Sequence, residues 1–120
     1  MDVGLEVHEF TRGDVLVLSA SGEIDLTTAA DLSGHLRAAL NGDHRGVVVD
    51  LGGVRFMDST GISVLLNGNR RLRRAARGFA VACPPGAVAR ILETTALTQT
   101  LGVRPTVEEA AERALAPPDA

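Results

Sequence analysis

The sequence predicts an α/β domain built on a mostly parallel mixed β-sheet. Three observations carry that expectation. Short β-branched apolar runs alternate with segments whose apolar residues recur at helical spacing. The first two runs have only a turn signal between them, so they form an N-terminal antiparallel hairpin at one edge of the sheet. The length, 120 residues, suits one domain and buries roughly 65 to 70% of the unfolded surface without help from a disulfide or a metal. The predicted order is β-β-α-β-α-β-α-β-α, with about four helices and right-handed crossovers between parallel strands.

Each element has its own signal. Val3 to Val7 and Val15 to Ala20 are the first two strands, separated by the turn residues Thr11-Arg12-Gly13-Asp14. Past Gly22-Glu23-Ile24-Asp25 the period changes, because Leu32, Leu36, Ala39 and Leu40 fall on one helical stripe. Thr28 with Asp31 three residues later predicts a capping box, and Asn41-Gly42 a stop. Val47 to Leu51 lacks polar alternation and reads as the central strand, covered on both faces. After Gly52-Gly53 and a short Val54-Arg55-Phe56-Met57 segment, a second helix runs from about Ser59 to Arg77, with Gly78 at the C′ position. Phe79 to Cys83 is a strand stopped by Pro84-Pro85, and Val88, Ile91 and Leu92 mark a third helix ending near Thr94. Leu101 to Val103 is the last strand, Thr106-Val107-Glu108-Glu109 caps an Ala-rich fourth helix, and residues 116–120 form a disordered tail beyond a domain spanning 1–115.

Composition narrows the function. Twelve basic residues, all Arg, stand against 15 acidic ones, for a formal charge of −3. Tyr and Trp are absent and Phe occurs three times, so direct nucleic-acid binding lacks its stacking platforms. A single cysteine, Cys83, excludes an internal disulfide and multi-cysteine metal sites, and its place at the end of an apolar strand reads as a buried thiol. No apolar run approaches a membrane span and Met1-Asp2 does not open a secretory signal, so the expected location is the cytoplasm. His8, His35 and His44 are scattered and read as solvated surface residues. The glycines at 42, 46, 52 and 53 make no phosphate-binding fingerprint, and no Gly-x-Ser-x-Gly elbow exists. No catalytic residue, metal site or cofactor is expected. Arg70, Arg71, Arg73, Arg74 and Arg77 form a basic cluster late in the second helix, read as a solvated face complementing the helix dipole ahead of a dock for an acidic partner.

One constellation stands apart. Phe56-Met57-Asp58-Ser59-Thr60-Gly61 puts a carboxylate and two hydroxyls at the start of the second helix, where the chain leaves the strand edge at which α/β folds meet ligands and partners. A helix cap accounts for one such residue. It does not account for three in a row followed by a glycine, which costs about 1 kcal/mol in a helix. An exposed Ser59 at this place can also carry a phosphate without unfolding the helix, since free N–H groups and the dipole favour an anion.

Met57-Asp58-Ser59-Thr60-Gly61, preceded by the Val47 to Leu51 strand and by Gly22-Glu23-Ile24-Asp25, resembles the STAS family of bacterial anti-sigma factor antagonists, and the similarity of order and motif covers nearly the whole chain. The resemblance implies a single STAS-like domain acting as a binding module rather than an enzyme. It implies phosphorylation at Ser59 and partner binding through Asp25, Asp58, Ser59, Thr60 and Gly61, with Thr60 not the main acceptor. The implied partners are an anti-sigma factor that is a Ser/Thr kinase and a Ser/Thr phosphatase acting on phosphorylated Ser59. The other reading is a non-switching STAS scaffold or accessory subunit of a signalling complex or transporter.

Overall fold

The structure, a computed structural model, describes residues 4–117. Alternation in β2 (Val15–Ile24) sets the layers: Val15 and Val17 face one way, Leu16 and Leu18 the other, and all four are buried. A strand apolar on both sides needs cover on both sides. β1 (Leu5–Arg12) pairs with β2 antiparallel, and β3 (Gly46–Met57), β4 (Gly78–Ala82) and β5 (Val103–Arg104) follow in parallel, so the sheet order is β1-β2-β3-β4-β5. The progression never reverses. With crossovers of one hand, the three connecting helices must then lie on the same face. They do: α1 (Ala29–Ala39), α2 (Ser59–Arg74) and α3 (Ala87–Thr94) bury Leu32, Leu36, Leu65, Leu72, Val88 and Leu92 against Leu16, Leu18, Val47, Val49, Phe79 and Val81.

The opposite face has one helix, α4 (Val107–Leu115). Its Ala110, Ala111 and Ala114 meet Val15, Val17, Val48, Ala80 and Ala82. Small side chains let this helix lie close to the sheet. A Cβ on Gly78 would stand 1.6 Å from the Ala114 carbonyl oxygen. The Thr106 hydroxyl accepts from the Glu109 N–H at 3.1 Å, so the predicted cap of this helix forms.

Several expected boundaries shift. β1 runs on to Arg12, leaving a turn at Gly13-Asp14, where Gly13 has φ 62°. Residue 3, the expected start of the strand, lies outside the described residues, as do 118–120 of the expected tail. β2 continues to Ile24, and the two runs either side of Gly52-Gly53 form one strand, β3, with register shifts against β2. A Cβ at Gly53 would sit 2.8 Å from Ser21 Cβ, so the glycine allows the irregular pairing to continue instead of ending the strand. The last strand is Val103–Arg104 rather than Leu101 to Val103, because the Leu101 and Gly102 N–H groups close a turn onto the Leu97 and Gln99 carbonyls, with Gly102 at φ 62°.

The predicted capping box of α1 does not form. Thr28 is the N-cap residue by position, but its hydroxyl faces backward, accepting from the Asp25 N–H at 2.9 Å and donating to the Glu23 carbonyl at 2.8 Å. Helix α2 stops at Arg74, and the left-handed residue after it is Ala76, φ 63°, not Gly78. Ala76 N–H donates to the Arg73 carbonyl and Arg77 N–H to that of Leu72, closing a Schellman motif two residues earlier than expected.

Candidate functional site at the strand edge

Asp58 joins β3 to α2. Its N–H donates to the Ile24 carbonyl at 3.2 Å, tying it to the end of β2, and its extended backbone lets Oδ1 accept from the Thr60 N–H at 2.9 Å. Asp58 is therefore the N-cap and Ser59 the first helical residue. Ser59 is exposed, and its hydroxyl makes no hydrogen bond among the described residues. Thr60 is half-buried. Gly61 is buried, and the reason for a glycine is steric: a Cβ there would stand 2.4 Å from Met57 Cγ and 2.9 Å from Ile24 Cγ2. Its absence lets the first turn of α2 rest on the ends of β2 and β3, so Gly61 sets where Ser59 stands rather than presenting a surface of its own.

The neighbouring loop is as strongly fixed. Asp25 Oδ1 accepts from the Thr27 hydroxyl at 2.8 Å, from the Thr27 N–H at 2.9 Å and from the Thr28 N–H at 3.2 Å. The Thr27 hydroxyl foremost, with these N–H groups, holds the Asp25 carboxyl below its ordinary value, partial desolvation working against it. The Asp25 carbonyl accepts from the N–H groups of Thr28 and Ala29, so the turn leads directly into α1. The sequence carried a signal for this arrangement, since Asp followed two and three residues later by Thr is Asx-turn chemistry.

The edge holds two residues that sequence reasoning did not assign to the site. Leu26 is 80% exposed and Phe56 47%, and with Phe10 at 45% they are the exposed large apolar residues among those described. Phe56 pairs with Glu23 across the β2–β3 ladder, one residue before the Met57–Ile24 pair that backs Gly61. Met57 itself is buried, so of the apolar pair before Asp58 one side chain anchors the edge and the other lines it. A linear reading shows that both are apolar but not which of them the sheet hides.

The basic cluster lies at the far end of α2, about 20 Å away along the helix axis. Arg77 donates to the carbonyls of Gly42 at 2.8 Å, Leu40 at 3.3 Å and Ala39, satisfying the C-terminal end of α1. Arg73 bonds Asn69 Oδ1 and the Phe79 carbonyl, and Arg70 bonds Asn67 Oδ1. Arg71 and Arg74 are exposed. A cavity of about 520 Å³ opens at this end. Two of the arginines lining it, Arg73 and Arg77, are thus already engaged with backbone carbonyls. His35, expected to be solvated, is half-buried and bonds Glu9 at 2.5 Å, linking α1 to β1. Cys83 is buried; burial raises its thiol pKa, and the Asp50 and Glu93 carboxylates add to that. Among the described residues no helix is long and apolar enough to cross a membrane.

Because the strand order never reverses, the sheet has no topological switch point of the kind at which doubly wound folds take small ligands. What it offers at the strand ends is a raised lip: the Asp25 turn, the end of β3 and the first turn of α2. The profile of the STAS domain matches residues 10–110, which includes every part of this lip. The chain belongs to the STAS domain family. As a STAS domain it is 29% identical over 96 residues to the anti-sigma-F factor antagonist RsfB of Mycobacterium tuberculosis, covering 80% of this chain and 78% of RsfB. An anti-sigma factor antagonist from Mycobacterium paratuberculosis superposes with a TM-score of 0.86 at 27% identity, over 95% of this chain and 97% of that one. The anti-sigma factor antagonist SpoIIAA of Bacillus shares the fold at 22% identity, with a TM-score of 0.72 in its unphosphorylated form over 92% of this chain and 95% of SpoIIAA. Each of these relatives is named for antagonising an anti-sigma factor.

Proposed function

We propose that this STAS domain is a cytoplasmic anti-sigma factor antagonist switched by phosphorylation of Ser59. In the unphosphorylated form it binds an anti-sigma factor that is also a Ser/Thr kinase and releases the sigma factor held there. The kinase then modifies Ser59 and the complex dissociates until a Ser/Thr phosphatase removes the group. The observation that carries the reading is the exposed, hydrogen-bond-free Ser59 hydroxyl on the first helical residue of α2, next to a cap that occupies the Asp58 carboxylate.

The physics of the switch follows from its place. A phosphate adds about −1.5 to −2 charge at pH 7. At a helix N-terminus the fold tolerates it, since the N–H groups and the dipole favour an anion. In a closed interface the same charge must be desolvated beside Asp58 and in the same lip as Asp25, which costs several kcal/mol; ~4 kcal/mol is about a thousandfold in affinity. The platform keeps its shape while the complex is lost. Asp25, Asp58 and Thr60 border the contact in this reading, and Gly61 holds the helix in position behind it.

Incubating the protein with purified anti-sigma factor kinases of its source organism and ATP tests this. Mass spectrometry is expected to place phosphate on Ser59 and none on a Ser59→Ala variant, and Ser59→Asp is expected to weaken binding at least a hundredfold. Phosphate at another residue, or unchanged affinity of Ser59→Asp, overturns the switch. Co-purification with a transporter or a large signalling particle, with Ser59 unmodified in cells, favours the scaffold reading instead.

A further inference from the structure

The lip around Ser59 combines two features that the fold does not use. Leu26 stands at the apex of a turn in which the Asp25 N–H, carbonyl and carboxylate and the Thr28 hydroxyl all have partners, so the backbone presenting it is held fixed. Yet its side chain is 80% exposed and contributes little to the core. Phe56, paired with Glu23 at the end of the neighbouring strand and so on the sheet face opposite the Ile24–Met57 pair, is half exposed. Glu23, Asp25 and Asp31 line one pocket beside the turn. Glu23, Asp25, Asp31 and Asp58 are carboxylates, and the cation on the adjoining β3 segment, Arg55, lies 3.8 Å from Glu23.

Resting on the proposed function, we infer that Leu26 and Phe56 are the two apolar anchors by which the unphosphorylated protein docks, and that the anti-sigma factor meets them with an apolar cup rimmed by Arg or Lys. Fixed, exposed apolar side chains are what interface hot spots require, because little conformational freedom remains to be lost on binding. The acidic surround gives the charge complementarity: basic groups on the partner meet Asp25 and Asp31 at the rim, steering association and placing the two anchors. Affinity then comes mainly from Leu26 and Phe56, whereas Ser59 decides whether it can be used. Phe10 is equally exposed but sits on β1, paired with Val17 low on β2, and takes no part.

Binding of the full-length protein to each purified anti-sigma factor of the source organism, measured by calorimetry at low and high salt, tests the assignment. Leu26→Ala and Phe56→Ala are each expected to weaken binding roughly tenfold or more, while Phe10→Ala stays within about twofold. Circular dichroism of each variant checks that the fold is intact, and Leu26→Met, which keeps the apolar volume, is expected to restore most of the affinity. Affinity is also expected to fall as salt rises. If the wild-type protein binds and Leu26→Ala and Phe56→Ala bind equally well, the anchors are wrong and the switch at Ser59 stands. If affinity is indifferent to salt, the basic rim is wrong. If no anti-sigma factor binds the wild-type protein, both this inference and the function it rests on are overturned.

Discussion

Asp25, which borders the proposed contact, is structural in the hydrogen bonds it makes. Its carboxylate collects four hydrogen bonds from Thr27 and Thr28, the Thr27 hydroxyl foremost, which hold its pKa below the ordinary 3.8. A carboxyl whose folded pKa is depressed contributes stability above its unfolded pKa and loses that contribution as pH falls through the folded value. Asp25→Asn is therefore expected to lower the melting temperature at neutral pH, and the gap between the two proteins is expected to close as pH falls below about 4. Thermal melts across that range check the sign; a gap that widens in acid contradicts it. Ser59, by contrast, gives nothing to the fold that its replacement would remove. Its exposure was legible in the sequence, because helix-capping chemistry places the residue after Asp58 on the first turn, facing outward. The reason for Gly61 was not, since it lies in Met57 and Ile24, and the second of these is 37 positions away along the chain.

At the scale of the element, the structure departs from expectation at helix ends. Both α2 and α3 close with a Schellman motif, and each places an alanine in the left-handed position, Ala76 at φ 63° and Ala96 at φ 60°. An L-residue there costs roughly 1–2 kcal/mol that glycine largely avoids. Sequence reading looked for a glycine and found Gly78, but Gly78 is required elsewhere. Ala76→Gly and Ala96→Gly are expected to raise stability by about 0.5–1 kcal/mol each, and by nearly the sum together because the two sites share no partner. Gly78→Ala is expected to act in the opposite direction. Its methyl would enter the Ala114 carbonyl, so α4 must lift from the sheet, at a cost of about 3 kcal/mol. Urea denaturation of the three single variants and of the Ala76→Gly/Ala96→Gly double variant measures all of these. The order of elements was legible because each crossover has a periodic apolar stripe of its own. Boundaries were less so, because β3 runs through Gly52-Gly53 by pairing irregularly with β2, and pairing is a property of two strands rather than of one.

For the whole molecule, one-way winding decides what kind of protein this is. Among the described residues three helices on one face and one on the other bury both sides of the sheet and leave its strand ends as an open lip. A partner docking there, as proposed, meets side chains that the core does not need, so folding and docking are separable. The start of α2 is where the separation can be measured. This helix has no acidic residue in its first turn, although Asp58 caps it. A negative charge on its first residue meets the unpaired N–H groups and the positive end of the dipole, which stabilises the helix by about 0.5 kcal/mol, or roughly 2 °C for a domain of this size. Ser59→Asp is thus expected to melt slightly higher than the wild-type protein, with the difference shrinking as salt is added. A phosphate loads the same end more heavily and is expected to raise the melting temperature further. If charge at residue 59 instead lowers the melting temperature, the modification would act by loosening α2, and loss of binding would follow from damage to the platform. A rise in stability accompanied by loss of binding leaves the interface as the only place where the charge is unfavourable.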